Sequence, residues 1–266
     1  MQWESLTAPD FKKAARETGV CVLAAGVTEK HGDYLPLGTD FLNGHRIACL
    51  AAEKEPAVVF MPFYFGQIYE ARCFPGTLSI NPNLLVQLYQ EVFNEIGRNG
   101  FEKIILYNAH GGNLNFLRFL CQCSLWKEKT YCIYLYVEEI GNEIKSVIET
   151  SPLHACEYET SITLANYPEL VKTDRIPEKP VMASGRMNDI PGTYTGIKWY
   201  SDFPEHYTGH AKLATAGKGQ KLMELQVDKL AQYIAKVKSD KAVKTLNREF
   251  FSRVETLNDN TDSSGR

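Results

Sequence analysis

The sequence predicts an α/β fold with a parallel, doubly wound sheet, and three observations carry this prediction. Residues 20–25 form a continuous apolar run, which is typical of a strand buried on both faces inside a parallel sheet. Residues 103–107 form a similar run and lead directly into a glycine-bearing turn and a helical pattern, as in a βα unit. The chain of 266 residues, 44% of them hydrophobic, is long enough to bury a sizeable core.

Helices and strands alternate along the first half of the chain. Thr7 is a suitable cap for the first helix, with Pro9 in its first turn and Gly19 at its end. Asn81 and Pro82 open the clearest helix in the same way. The predicted elements of this half are a helix over 7–18, a strand over 20–25, a helix over 41–55, a strand over 57–63 and a helix from 82 to about 100.

The second half predicts two more strands and a long irregular segment. Residues 169–212 are rich in proline, glycine and polar groups, and we expect them to form an excursion that covers a pocket. We expect one domain over residues 1–256, followed by a polar tail over 257–266. The predicted elements are strands over 103–107 and 131–137 and helices over 113–127, 159–167 and 215–238, the last with apolar residues spaced by four and three.

The composition argues against several classes of protein. The net charge is −3, no block of lysine and arginine stands out, and no apolar run approaches the roughly 18 residues of a membrane span. We therefore expect neither nucleic-acid nor membrane partners, and a cytoplasmic location, since the first residues lack a signal-peptide pattern. The seven cysteines are an odd number without a C-x-x-C pair, which predicts reduced thiols rather than a disulfide framework or a zinc ribbon.

Three potential metal ligands follow the first strand. Glu29 and His31 are two residues apart, so in extended backbone their side chains face the same side. Asp40 comes after a loop that contains Gly32, Pro36 and Gly38 and can fold back. Carboxylate, imidazole and carboxylate suit zinc, manganese or iron(II), although an aspartate before a helix is also a common cap and a histidine a common structural residue.

Further candidates occur in other polar segments. His110 follows the strand at 103–107, and the carboxyl ends of parallel strands meet at one edge of a sheet, where ligands bind. Two metals about 3.5–4 Å apart need a shared carboxylate and about two further ligands each. Glu29, His31, Asp40, His110 and a later glutamate would supply that number, and the later candidates are His154, Glu157 and Glu159. We expect the remaining histidines, His45, His206 and His210, to lie outside the site.

Five motifs in order resemble the creatininase, or creatinine amidohydrolase, family. They span residues 20 to about 220 together with a weaker match at Leu213-Ala214-Thr215-Ala216 and Lys218-Gly219. The motifs are Glu29-Lys30-His31-Gly32, Leu35-Pro36-Leu37-Gly38-Thr39-Asp40, Phe74-Pro75-Gly76-Thr77, Asn108-Ala109-His110-Gly111-Gly112-Asn113, and His154-Ala155-Cys156 with Glu159-Thr160-Ser161.

The resemblance implies a three-layer α/β/α sandwich with a mostly parallel central sheet and two divalent metal ions at its carboxyl edge. By analogy Glu29 and His110 bind one metal, His31 and Glu159 bind the other, and Asp40 bridges them. Zinc is the first expectation, with manganese and iron(II) as alternatives. A small-molecule substrate and a homo-oligomer, a hexamer in many family members, are also implied.

The family resemblance implies a hydrolytic reaction, and this chain also differs from the family pattern at some positions. His154 matches a non-ligand acid/base, which predicts a hydrolase cleaving a non-peptide C–N bond of a small cyclic amide or formamide. Creatininase itself carries a ligand glutamate where this chain has Gly112, so Glu159 is expected to supply that ligand. Arg72 either binds a carboxylate of the substrate or is a surface residue. Trp199 lies in the segment that is expected to cover the pocket. A non-catalytic metal-binding or sensor protein and a two-metal phosphoesterase are the alternatives.

Overall fold

The computed structural model describes residues 1–138 and 141–258, and a four-stranded parallel sheet lies at its centre. The strand order is β2-β1-β3-β4, so the first strand in sequence is internal. The strands are β1 (Val20–Ala25), β2 (Val58–Val59), β3 (Lys103–Asn108) and β4 (Cys132–Tyr136).

Helices cover both faces of the sheet. They are α1 (Ala8–Thr18), α2 (Thr39–Lys54), α3 (Pro82–Arg98), α4 (Leu114–Cys123), α5 (Asn142–Lys145), α6 (Glu157–Asn166), α7 (Lys198–Asp202), α8 (Ala216–Ser239) and α9 (Ala242–Glu255). No helix within residues 1–138 and 141–258 combines the length and the apolar character that crossing a bilayer requires.

Strand β1 separates two hydrophobic cores because successive side chains point to opposite faces. Val20, Val22 and Ala24 pack with buried residues of α2 and α8. Cys21 and Leu23 pack on the other face with residues of α1, α3 and α4. Every residue of β1 is buried, as the apolar run predicted. The three layers confirm the α/β/α sandwich with a parallel sheet.

Most predicted elements are present with small shifts, and there are two differences. The predicted strand over 57–63 is reduced to β2, since beyond it the chain meets β1 through a hydrogen bond from the Phe60 amide to the Val22 carbonyl and an isolated bridge between Phe63 and Ala25. Helix α9 was not predicted, and only Phe251 of its residues is buried. The predicted tail covers residues 257–266, and from residue 259 onward it lies outside the described residues. The assignment of residues 1–256 to one domain stays a prediction.

The register of β1 and β3 brings their carboxyl ends to the same edge of the sheet. Ala25 pairs with Asn108, so the chain leaves both strands at the same level. Asn113 fixes the loops beyond this edge, because its Nδ2 donates to the Ala25 carbonyl (3.1 Å) and its Oδ1 accepts from the Gln67 amide (2.8 Å). It does not cap α4, and it ties loops together instead.

Glu157 anchors the start of α6 to neighbouring segments. Its buried carboxylate accepts hydrogen bonds from the Glu149 amide (3.0 Å), the Thr150 amide and hydroxyl (both 2.9 Å) and the Lys218 ammonium (2.6 Å). These contacts lower the pKa of Glu157, although burial alone would raise it. Its role here is structural.

We predict that Glu157→Gln lowers the free energy of unfolding by about 2 kcal/mol, because a charge-assisted pair with Lys218 is lost in a buried setting. The lowered pKa means that this contribution is complete above the usual value of 4.5 and is lost as the pH falls through the lower folded-state pKa. Urea unfolding at several pH values measures it. Glu149→Gln is the matched control, since this exposed partner of the same lysine is worth less than about 0.5 kcal/mol.

Candidate metal centre

The carboxylate of Asp40 lies between two imidazoles, with one oxygen facing each. Oδ1 is 3.1 Å from His31 Nε2, and Oδ2 is 2.9 Å from His110 Nδ1. Asp40 stands in the first turn of α2, where the helix dipole favours a negative charge. His110 follows β3, and His31 follows the extended segment after β1. The predicted convergence of these three residues is therefore present in the structure.

Glu29 completes the group on the His110 side of Asp40. Its Oε1 is 3.0 Å from His110 Nδ1, and its Oε2 is 2.6 Å from His206 Nε2. Because His206 Nδ1 accepts a hydrogen bond from Trp199 Nε1 (3.0 Å), the hydrogen of His206 lies on Nε2 and is donated to Glu29. One oxygen of Glu29 is thus held by His206, and the other faces the His110 nitrogen.

Glu159 lies on the His31 side. Its Oε2 is 3.9 Å from His31 Nε2 and accepts a hydrogen bond from the Ala155 amide at 2.5 Å. The site has no room for a side chain at Gly112, since a Cβ there would come within 2.5 Å of His110 Nε2. The position of His110 therefore requires glycine at 112.

The site holds more negative charge than its buried surroundings tolerate without compensation. Burial alone would lower the pKa of His31, but Asp40, Glu29 and Glu159 raise it to about 10. Burial, with the neighbouring carboxylates of Asp40 and Glu29, raises the pKa of Glu159 to about 7. The cluster therefore attracts protons or other cations.

Hydrogen-bond directions indicate which cation the site suits. His31 Nδ1 lies 3.2 Å from the Glu29 carbonyl, which only accepts, so Nδ1 carries a hydrogen, and Nε2, which faces Asp40, is the nitrogen that a proton or a metal ion would occupy. Within the part of the chain that the structure describes, Glu29 Oε1 and Asp40 Oδ2 are buried acceptors without a hydrogen-bond partner, although both lie close to His110 Nδ1. Such converging acceptors and a backbone-oriented imidazole are the usual environment of a divalent metal. The donor set fits the implied metals.

His154 lies against the same cluster. Its Nε2 donates to the Lys30 carbonyl at 2.8 Å, which leaves the Nδ1 lone pair 4.0 Å from Glu29 Oε1. Its ring packs on those of His31 (4.4 Å between centroids) and His206 (4.3 Å). Burial lowers the pKa of His154 to about 3; the imidazoles of His31 and His206 add to this effect and Glu29 opposes it. His154 is therefore a neutral imidazole at neutral pH.

The expectation that His206 lies outside the site is wrong. It is 2% exposed and contacts Glu29, and its backbone has a φ of 54°, which is uncommon for a residue other than glycine. No sequence pattern indicates this position, because the segment over 169–212 lacks periodicity. The segment does return over the site, and Trp199 reaches His154 edge-on at 5.8 Å between ring centroids.

Other candidate residues lie elsewhere or play no part in the cluster. Arg72 is exposed, and His45 contacts Cys49 within α2. Cys156 is buried, and burial raises its pKa to about 11, so it is a thiol rather than a nucleophilic thiolate at neutral pH. Within the described residues, three overlapping groups have metal-ligand geometry: Glu29, His154 and His206; His31, His154 and Glu159; and Glu29, His31 and Asp40.

Comparisons with known proteins identify the family. The creatininase family model, described as creatinine amidohydrolase, matches residues 4–234. A 3-dehydro-scyllo-inosose hydrolase of Thermotoga maritima is 24% identical over 87% of this chain and 82% of its own length. The creatinine amidohydrolase of Pseudomonas putida is 26% identical over 81% and 88%. A crystal structure of creatininase superposes with a TM-score of 0.78 and 21% identity over 90% of this chain and 98% of its own. The chain belongs to the creatininase family.

Proposed function

We propose that this protein is a metal-dependent amidohydrolase that cleaves a non-peptide C–N bond in a small cyclic amide or formamide. The observation that carries the proposal is the position of Asp40, whose two oxygens face separate histidines. A carboxylate in that position suits a bridge between two cations. The homo-oligomer and the cytoplasmic location expected from the sequence stay predictions.

The proposed ligands fall into two sets that share Asp40. Glu29 and His110 would hold one divalent ion, and His31 and Glu159 would hold the other, with zinc as the first candidate and manganese or iron(II) as alternatives. Such ions supply Lewis acidity toward a carbonyl oxygen and lower the pKa of water. His206 would not bind the metal itself; its hydrogen bond to Glu29 orients that ligand.

His154 is the proposed acid and base. As a neutral imidazole with its hydrogen directed to the Lys30 carbonyl, it has a free lone pair on Nδ1. It accepts a proton there from the attacking water and returns it to the nitrogen of the substrate as the C–N bond breaks. The Lys30 carbonyl keeps the ring in the same orientation through both transfers, and the neighbouring rings of His31 and Trp199 limit its rotation.

The adjoining cavity suits a small substrate and disfavours a phosphate ester. Its volume is about 250 Å³, and Asp40, His110 and Glu159 form part of its wall. No lysine or arginine is among the described residues that line it. A phosphate group carries negative charge and is usually held by such cations. The cavity therefore supports the amide over the phosphoesterase alternative.

We predict that Asp40→Asn lowers the affinity for divalent metal by more than about 100-fold, because it removes the charge shared by both sets of ligands. Competition with a chromogenic chelator measures affinity, and plasma mass spectrometry gives the metal content. Asp33→Asn, an exposed aspartate of the same loop paired with Lys30, is the control and keeps the affinity. Unchanged affinity in a folded Asp40→Asn variant would rule out the bridging role.

We predict that His154→Gln lowers kcat about 10²–10⁴-fold, because proton transfer is lost while the metal content stays the same. The measurement uses the metal-loaded enzyme on a panel of formamides, lactams and creatinine, with short peptides and phosphate esters as comparison substrates. His45→Gln is the control.

The outcomes of this experiment separate the candidate functions. Loss of metal together with activity in His154→Gln would make His154 a ligand rather than the acid/base. Metal binding without turnover of any compound by the unaltered protein would favour the sensor alternative, and turnover only of phosphate esters would favour the phosphoesterase.

A further inference from the structure

We propose that the cavity beside the candidate metal centre has a second polar wall, formed by Glu138 and Gln226, that binds a cationic N–H-donating group of the substrate, such as a guanidinium or an amidinium. This inference deepens the proposed function, since it names the substrate class that the same cavity accepts. Glu138 follows β4 by two residues, and Gln226 lies on α8.

Glu138, Gln226 and Tyr158 form a triangle of hydrogen bonds. The Tyr158 hydroxyl donates to Glu138 Oε2 at 3.3 Å. Gln226 Nε2 donates to the same Oε2 and to the Tyr158 oxygen. The opposite orientation of the Gln226 amide would place its oxygen against a carboxylate oxygen, so the network itself fixes which end is nitrogen. Both hydrogens of the amide and that of the hydroxyl are therefore used inside the triangle.

Two acceptor oxygens of this triangle, one on Glu138 and one on Gln226, are left without partners. Glu138 Oε1 and Gln226 Oε1 are buried and make no hydrogen bond with any described residue. Gln226 is 5% exposed, so its oxygen is largely withdrawn from bulk water. Buried acceptors of this kind are destabilising unless a ligand or a bound water satisfies them. The pair therefore marks a place where a hydrogen-bond donor is expected.

These acceptors belong to the same cavity as the candidate metal ligands. Glu138, Gln226 and Tyr158 line it together with Asp40, His110 and Glu159. A molecule that fills about 250 Å³ is within reach of both sets of residues. The reacting carbonyl of the substrate would face the candidate metal ligands. Glu138 and Gln226 would then select the group that is attached to this carbonyl.

The charges around Glu138 favour a cation over a neutral donor. Burial raises the pKa of Glu138 above its usual value. The hydrogen bond from Gln226, the nearby Lys229 ammonium and the hydrogen bond from Tyr158 oppose this effect only in part. The Lys229 ammonium is itself paired with Glu143 at 3.0 Å, toward the surface. Because no lysine or arginine lines the described part of the cavity, a cationic ligand would supply a counter-charge for Glu138 on the cavity side.

A matched pair of small probes tests the proposal. Methylguanidinium and methylurea have nearly the same shape, but only the former is cationic and offers donors alone. Calorimetric titration into the metal-loaded protein is expected to show about 10-fold or tighter binding of methylguanidinium, because hydrogen bonds to a charged acceptor are the stronger ones. Glu138→Gln is expected to bring the ratio of the two affinities close to one with the metal content unchanged. Glu143→Gln, which removes a carboxylate outside the cavity, keeps the ratio.

Equal affinities for the two probes, or a preference that survives Glu138→Gln, would overturn the proposal. If that variant does not fold, Gln226→Leu provides the second test, since loss of its acceptor should weaken methylguanidinium binding and an unchanged affinity would count against the site. A Glu138-dependent preference in a protein that hydrolyses no amide would leave this site standing and reject the proposed function. Amide hydrolysis without any preference between the two probes would reject this site and leave the proposed function standing.

Discussion

The Asp40 carboxylate lies between two imidazoles, and the other groups of the site are arranged around it. Asp40 lies within 3.1 Å of His31 and 2.9 Å of His110, and the buried Glu29 adds a further negative charge. So much charge is costly in a protein interior unless cations or protons compensate it. The hydrogen bonds that Glu29 and Glu159 receive from His206 and from the Ala155 amide hold the group together.

The fold brings these residues together through strand register rather than through sequence proximity. Since Ala25 and Asn108 are paired, Glu29, His31 and His110 emerge at one edge of the sheet, where α2 presents Asp40. The cavity beside them combines a side formed by the candidate metal ligands and an acceptor-rich side. Relatives named for different substrates resemble this chain, and the side chains beyond the candidate metal ligands are where such differences in substrate can arise.

Much of this could be predicted from the sequence because strong local patterns carried it. The apolar run of β1 and the cap of α3 predicted their elements, and motifs at strand ends predicted the convergence of Glu29, His31, Asp40 and His110. His206 and the Glu138–Gln226 pair could not be predicted in this way. Their partners are 177 and 88 residues away in sequence, and an irregular segment or a helix face gives no local indication of which distant group a side chain will meet.

Anomalous diffraction from a crystal of the metal-loaded protein would show whether Asp40 bridges two divalent ions. Two anomalous peaks are expected, both in contact with Asp40, with Glu29 and His110 at one and His31 and Glu159 at the other. A single peak, or two peaks of which one has no contact with Asp40, would contradict this bridging role.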